Sequence, residues 1–406
     1  MTTGGFSPKR LTRVRDVINR HVDAGHGPGA VAVVARQGEV HIEATGYLAY
    51  EGAGSRTPMA ADTICRIASW TKQIVAACVM TLVEDCTLRL DDPVDALLPE
   101  LSDMTVLANP NGPLDDTVPA KRSITLRDLL TCRLGTGTVH AEPGTVPISD
   151  TLNTLERGDC PGDPVPSPDE WIRRLGTLPL VHQPGERWMY NIAPMVLGVL
   201  IARATGMSLG DALRERICEP LGMKDTTLSV GGESVSRLAT AYMRDDATGK
   251  LVVEDGPDGL GRRSPAFKAA GSGLVSTADD FLAFTSALLA GGTHRGRRIL
   301  SRSSVILMTT DHLTPVQKAV SKFVWPPGYF EELGNFGWGF GVGVNTRRTP
   351  LGPSAGSYGW YGKYGTAWFN DPAEDMTTML ILQYTEAWGL PIFLRFWRAA
   401  YQAIDG

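Results

Sequence analysis

The two ends of the chain read as parts of one sheet, and that constrains the fold more than any other feature. After Ser7-Pro8 the apolar residues Leu11, Val14, Val17, Ile18 and Val22 recur at helical spacing, and Gly27-Pro28-Gly29 ends the helix. AVAVVARQGEVHIEATGYL then holds two β-branched runs around Gln37-Gly38, the pattern of a hairpin with a tight turn. At the far end, segments around Gly337 to Val344, Thr366 to Asn370 and Met376 to Tyr384 read as three strands, and LPIFLRFWRAAYQAI as a closing amphipathic helix. A sheet built from both chain ends and covered by both terminal helices makes its domain discontinuous. We therefore expect an α+β chain with residues 1–70 and 265–406 in that domain and 71–264 in a mainly helical one.

Within the middle, QIVAACVMTLVEDC, SITLRDLLTC, PMVLGVLIARATG, SLGDALRERICEPLG and TADDFLAFTSALLAGG each carry helical periodicity. The stretch from Gly135 to Asp169, crowded with Pro, Gly, Thr and Asp, is too long for a simple connection and is expected to form a lid or the wall of a cleft.

Composition narrows the function classes. With 39 basic and 44 acidic side chains in 406 residues and no long basic run, the chain offers no groove for nucleic acid and no polybasic membrane patch. The six cysteines form no Cys-x-x-Cys pair, and the seven histidines show no metal-binding spacing, so no metal and no cofactor are expected. Nor is there a signal-like N-terminus or an apolar run of membrane-spanning length, which leads to the expectation of a cytoplasmic protein with reduced thiols. Small molecules are the expected partners, with neither nucleic acid nor membrane; a homo-oligomer is compatible with the sequence but nothing in it requires one.

The chemistry concentrates at Cys65-Arg66-Ile67-Ala68-Ser69-Trp70-Thr71-Lys72, which runs straight into the apolar helix beginning near Ile74. Three residues apart at a helix start, Ser69 and Lys72 share a face, so an amine can meet a hydroxyl in the positive field of the helix N-terminus. The spacing alone is common, and the plain alternative is a helix cap followed by a solvated lysine.

What lifts this motif above the plain alternative is its company. In order along the chain, GAVAVVARQGEV, RIASWTK, LRDLLT, the Tyr190-Asn191 pair, EPLGM, GSGLVSTADDF, GWGFGVG and WYGKYGTAWF resemble the serine β-lactamase and penicillin-recognising superfamily. The resemblance is to its class C-like branch, with the family VIII carboxylesterases and statin-type acyltransferases. It implies a β-lactamase-like fold with Ser69 as the acylated nucleophile, Lys72 as its hydrogen-bonded partner and Tyr190 as general base. It also implies that Trp360-Tyr361-Gly362 stands where the superfamily carries Lys-Thr-Gly on an edge strand, with the backbone N–H groups of Ser69 and Lys363 as the oxyanion hole. A second register, with Lys363-Tyr364-Gly365 in that place, stays open.

Departures from the pattern matter too. Relatives that cleave penicillins have an asparagine two residues beyond the tyrosine; here Ile192 stands there and Asn191 one step early. With tryptophan in place of the motif lysine, efficient β-lactam cleavage is not expected. Cys132-Arg133-Leu134-Gly135 replaces a common His-Thr-Ser-Gly, and Cys132 itself reads as a core thiol. Gly337, Gly339, Gly341 and Gly343 alternate, which in a strand puts all four on one face rather than forming a phosphate loop. The aromatics Trp325, Tyr329, Phe330, Trp338, Trp360, Tyr361, Tyr364 and Trp388 crowd the last quarter, enough to line a cleft for an apolar acyl group.

The expected activity is acyl transfer through an acyl-enzyme on Ser69. The substrate would be a small-molecule ester and the acceptor water, an alcohol or an amine, giving a carboxylesterase, acyltransferase or transacylase. The alternatives are β-lactamase or D-amino-acid peptidase activity and, from another class, a non-catalytic ligand-binding sensor.

Overall fold

The computed structural model describes residues 4–157, 166–259, 261–262, 267, 269–321 and 336–405. Seven strands form the main sheet: β1 (Gly29–Arg36), β2 (Glu39–Gly46), β3 (Phe336–Trp338), β4 (Gly343–Asn345), β5 (Tyr358–Gly362), β6 (Thr366–Asp371) and β7 (Met376–Ile381). Their spatial order is β3-β4-β5-β6-β7-β1-β2, and every pairing is antiparallel. Five helices frame the account: α1 (Pro8–Asp23), α2 (Thr71–Glu84), α3 (Ile192–Thr205), α4 (Ala278–Leu289) and α5 (Ile392–Gln402).

The two ends do meet. β1 lies between β2 and β7, with Val31 opposite Ile381 and Arg36 opposite Met376. Gln37 and Gly38 both take positive φ, 51° and 81°, which is the two-residue turn whose twist suits a hairpin. α1 and α5 pack on each other and against one face of the sheet, while α4 covers β6 and β7 from the other. Strand alternation assigns the large aromatics to these layers: Trp368 packs on Phe281 of α4, whereas Tyr361 and Phe369 pack on Trp397 of α5.

Several local readings change. Gly337 to Val344 is not one strand but two, β3 and β4. Gly339 N–H donates to the Val342 carbonyl (2.8 Å) and Gly341 sits at φ 72°, so the four glycines do not line one face. Gly341 is needed because a Cβ there would stand 2.8 Å from the Lys72 carbonyl oxygen. The strand from Met376 ends at Ile381, and Gln383 turns away at φ 56°. SLGDALRERICEPLG forms a helix interrupted by π-helical turns at Arg214–Cys218. The Pro/Gly-rich stretch contains a helix, Pro147–Arg157, and part of that stretch lies outside the described residues. β5 is not an edge strand, since the short β3–β4 hairpin extends the sheet beyond it.

Among the described residues no single helix is long and apolar enough to cross a membrane. Five cysteines, Cys65, Cys78, Cys86, Cys132 and Cys218, are free thiols.

His21 ties α1 to pH. It is buried on the inner face of α1, 5.4 Å from the His26 ring, and burial lowers its pKa from 6.5 to about 4. Above pH 6.5 both folded and unfolded chains hold it neutral. Between pH 6.5 and 4 only the unfolded chain takes up the proton, so this contribution to stability is lost as pH falls, up to about 3 kcal/mol. Urea unfolding at pH 7 and pH 4 is expected to show the wild type losing about that much more than His21→Leu; equal losses in the two proteins would contradict it.

Candidate active site

Ser69 lies in a single 3-10 turn, Ala68–Trp70, that leads directly into α2. Ala68 takes φ 45°, unusual for an L-residue, and its neighbours hold it there. Thr71 Oγ1 donates to the Ala68 carbonyl (2.7 Å) and accepts from Leu274 N–H (3.1 Å), while Ile67 N–H donates to the Leu274 carbonyl (3.2 Å). The buried Trp70 stacks on Phe281 at 4.4 Å and donates its indole N–H to the Trp360 carbonyl (3.1 Å), tying the turn to β5. Gly362 permits that approach, since a Cβ on it would stand 2.6 Å from the Ile67 carbonyl oxygen and 2.2 Å from Thr366 Oγ1.

One helical turn on, Lys72 is 1% exposed. Its Nζ donates to Ser69 Oγ at 2.9 Å and to the Gly271 carbonyl at 2.7 Å, and stands 4.5 Å from the centroid of the Tyr190 ring. Tyr190 arrives on the segment before α3, held by Thr138 N–H on its carbonyl (2.8 Å) and by Met189 N–H on the Cys132 carbonyl (2.8 Å). The Trp360 indole donates to the Tyr190 hydroxyl at 2.6 Å, and Trp338 meets both rings edge-on.

Ser69, Lys72, Tyr190 and Trp360 thus come together, with Gly362 against the serine turn. Tyr361 does not join them. Its side chain points through the opposite face onto Trp388 (4.7 Å between centroids) and Phe393, as alternation along β5 requires. The β4 ladder stops at Gly359, so the Trp360–Gly362 half of β5 runs beside the serine turn beyond it. Gly362 to Gly365 form the turn from β5 into β6, closed by Gly365 N–H on the Gly362 carbonyl (3.1 Å). Trp360-Tyr361-Gly362 is therefore on the strand and Lys363-Tyr364-Gly365 in the turn. Lys363 presents its ammonium outward to Glu254. Cys132 is buried with its thiol pushed up to about 12, so it stays protonated. Trp325, Tyr329 and Phe330 lie outside the described residues.

Two contributors escape a reading of the sequence: Gly271, whose carbonyl meets the amine, and Trp70, which pins the turn to β5; Trp338, one of the aromatics expected to line a cleft, backs the tyrosine. Only the match over GSGLVSTADDF pointed near Gly271. Beside Tyr190 opens a cavity of about 440 Å³, walled by Thr138, Val139 and His140 from the Pro/Gly-rich stretch and by Trp188 and Met189. Burial lowers the pKa of the lining imidazoles of His140 and His182 below the usual value.

A serine at a helix start, a buried lysine on its oxygen and a tyrosine over that lysine, set against an antiparallel sheet, are the arrangement of a β-lactamase-like fold. The family model described as Beta-lactamase matches residues 14–388, and the chain belongs to that family. It is 38% identical to Protein Rv1367c of Mycobacterium tuberculosis over 370 residues, covering 89% of this chain and 87% of that protein. To Esterase EstB of Burkholderia gladioli it is 32% identical over 372 residues, covering 87% and 85%. The unliganded structure of simvastatin synthase (LovD) from Aspergillus terreus superposes with a TM-score of 0.79 at 23% identity over 98% of this chain and 100% of that one, which shows the shared fold.

The contact at Gly362 is directly testable. Gly362→Ala is expected to destabilise the chain by about 1–3 kcal/mol as the new methyl pushes β5 from the serine turn. Chemical denaturation reads the effect, and an unchanged unfolding midpoint would contradict the close approach.

Proposed function

We propose that this chain is a serine-dependent acyl-transfer enzyme that acts on small-molecule esters, with Ser69 as nucleophile, Lys72 and Tyr190 as its proton-handling partners and the backbone N–H groups of Ser69 and Lys363 as the oxyanion hole. The observation that carries this reading is the buried Lys72 amine, bonded to Ser69 Oγ and lying over the Tyr190 ring. A cation beside a phenol favours the phenolate, and the Trp360 indole donor on the same oxygen works in that direction.

In the first step Tyr190 takes the Ser69 proton as Oγ attacks the ester carbonyl. The carbon–oxygen double bond opens to an oxyanion, on which the two backbone donors act. As the oxyanion collapses, the bond to the leaving alkoxide breaks and the phenol returns its proton to that oxygen, leaving an acyl-Ser69 ester. In the second step an acceptor hydroxyl or amine gives its proton to Tyr190 and attacks the acyl carbon. The acyl–Ser69 bond breaks, and Ser69 recovers its proton.

Water as acceptor gives a carboxylesterase; an alcohol or amine gives a transacylase. The cavity beside Tyr190 supports transfer, since its volume suits an organic acceptor and Thr138, Val139 and His140 of the Pro/Gly-rich stretch form part of its wall. The names of the relatives span both outcomes: EstB is an esterase, and Monacolin J acid methylbutanoyltransferase of Aspergillus terreus, 33% identical over 201 residues, is a transferase. β-Lactam cleavage is not favoured. Ile192 is buried at the position where an asparagine is wanted, Trp360 replaces the motif lysine, and the Lys363 ammonium turns out to Glu254.

Intact-mass spectrometry after exposure to a serine-directed phosphonate is expected to show one adduct per chain that Ser69→Ala abolishes. No adduct on the wild type would sink the enzymatic reading in favour of a ligand-binding role. Tyr190→Phe is expected to slow acylation by roughly a hundredfold or more with the fold intact; near-normal rates would refute its role as base. With a chromogenic short-chain ester, added alcohols or amines are expected to raise turnover and divert product. If they do neither, the enzyme is a hydrolase.

A further inference from the structure

The two backbone donors assigned to the oxyanion hole belong to separate parts of the chain, and one small hairpin reaches toward both. Strands Ala241–Arg244 and Leu251–Asp255 pair antiparallel. The hairpin is fastened to the segment after β7 by Tyr242 N–H on the Gln383 carbonyl (3.0 Å) and Arg244 N–H on the Glu386 carboxylate (2.9 Å). It ends in two adjacent carboxylates, Glu254 and Asp255, which strand alternation sends in opposite directions.

Asp255, 4% exposed, forms an ion pair with Arg66, 3% exposed and three residues before Ser69. The same guanidinium donates to the carbonyls of Ala239 and Gly256. The Gln383 side-chain amide grips the Arg66 backbone, accepting from its N–H (2.9 Å) and donating to its carbonyl (2.9 Å). On the other side Glu254 ion-pairs with the Lys363 ammonium and accepts from the Thr385 hydroxyl. The following turn is held by Tyr384 N–H on the Tyr364 carbonyl (3.0 Å).

We propose that Glu254 and Asp255 are paired positioning residues that set the spacing of the two oxyanion donors, Asp255 through Arg66 on the Ser69 side and Glu254 through Lys363 on the β5 side. The proposal rests on the acyl-transfer reading above. A buried carboxylate–guanidinium pair tolerates little displacement, because either charge left alone in the interior is costly. The Lys363–Glu254 pair is open to solvent at its Lys363 end while Glu254 is largely covered, and glutamine at 254 keeps an acceptor for the Thr385 hydroxyl, so its removal should appear in rate rather than in stability. Misplacement by about an ångström is enough to cost roughly a hundredfold in rate.

Glu254→Gln and Lys363→Met are expected to lower kcat by roughly ten- to a hundredfold with KM and the thermal midpoint nearly unchanged. The charge-reversed double variant, Glu254→Lys with Lys363→Glu, is expected to recover part of the loss. The decisive readout is kcat/KM for an ester against its thionoester, whose sulfur is larger and accepts hydrogen bonds weakly. A disturbed oxyanion hole shrinks that ratio, whereas general damage lowers both rates together. If phosphonate labels Ser69 normally and the ratio in both single variants matches the wild type, the positioning role is overturned and the acyl-transfer reading stands. If the wild type never acylates on Ser69, both fall.

Discussion

A lysine amine taken out of water has to be met on several sides, and the site is arranged around that requirement. Lys72 is almost fully buried, and its amine meets the Gly271 carbonyl, the Ser69 oxygen and the Tyr190 ring. Each contact draws a different part of the chain to one point. Ser69 comes from the turn before α2, Gly271 from the approach to α4, and Tyr190 from the approach to α3. Glycine at 341 is what lets the backbone close around that lysine's helix.

The sheet supplies the other half of the constraint. β5 carries Trp360 toward the site and Tyr361 into the layer under α5, so a single strand both builds the core and orients the tyrosine. Trp360 is engaged at two atoms: its indole N–H on the Tyr190 hydroxyl and its carbonyl under the Trp70 indole.

Much of this was legible in the residues. The hairpin around Gln37-Gly38, the terminal helices and the return of the far strands follow from periodicity and turn chemistry, both local properties of a sequence. The ordered motifs singled out Ser69, Lys72 and Tyr190, whose side chains the structure brings together. Elsewhere local rules failed because distant contacts decided the outcome. Alternating glycines looked like one strand, yet Gly341 had to turn beneath the Lys72 carbonyl. Tyr361 looked like a binding residue beside Trp360, yet pleating sends neighbours to opposite faces. Gly271 and the Arg66–Asp255 pair join residues far apart in the chain, and no window of sequence contains them.

The central claim is that Ser69 carries the acyl group with its carbonyl oxygen between two backbone donors. A crystal structure of a slowly hydrolysed acyl adduct measures this directly. The account predicts an ester on Ser69 Oγ, its carbonyl oxygen within hydrogen-bonding distance of the Ser69 and Lys363 N–H groups, and its acyl chain flanked by the aromatic wall near Tyr190. An acyl group on any other residue, or a carbonyl oxygen turned away from both donors, would contradict it.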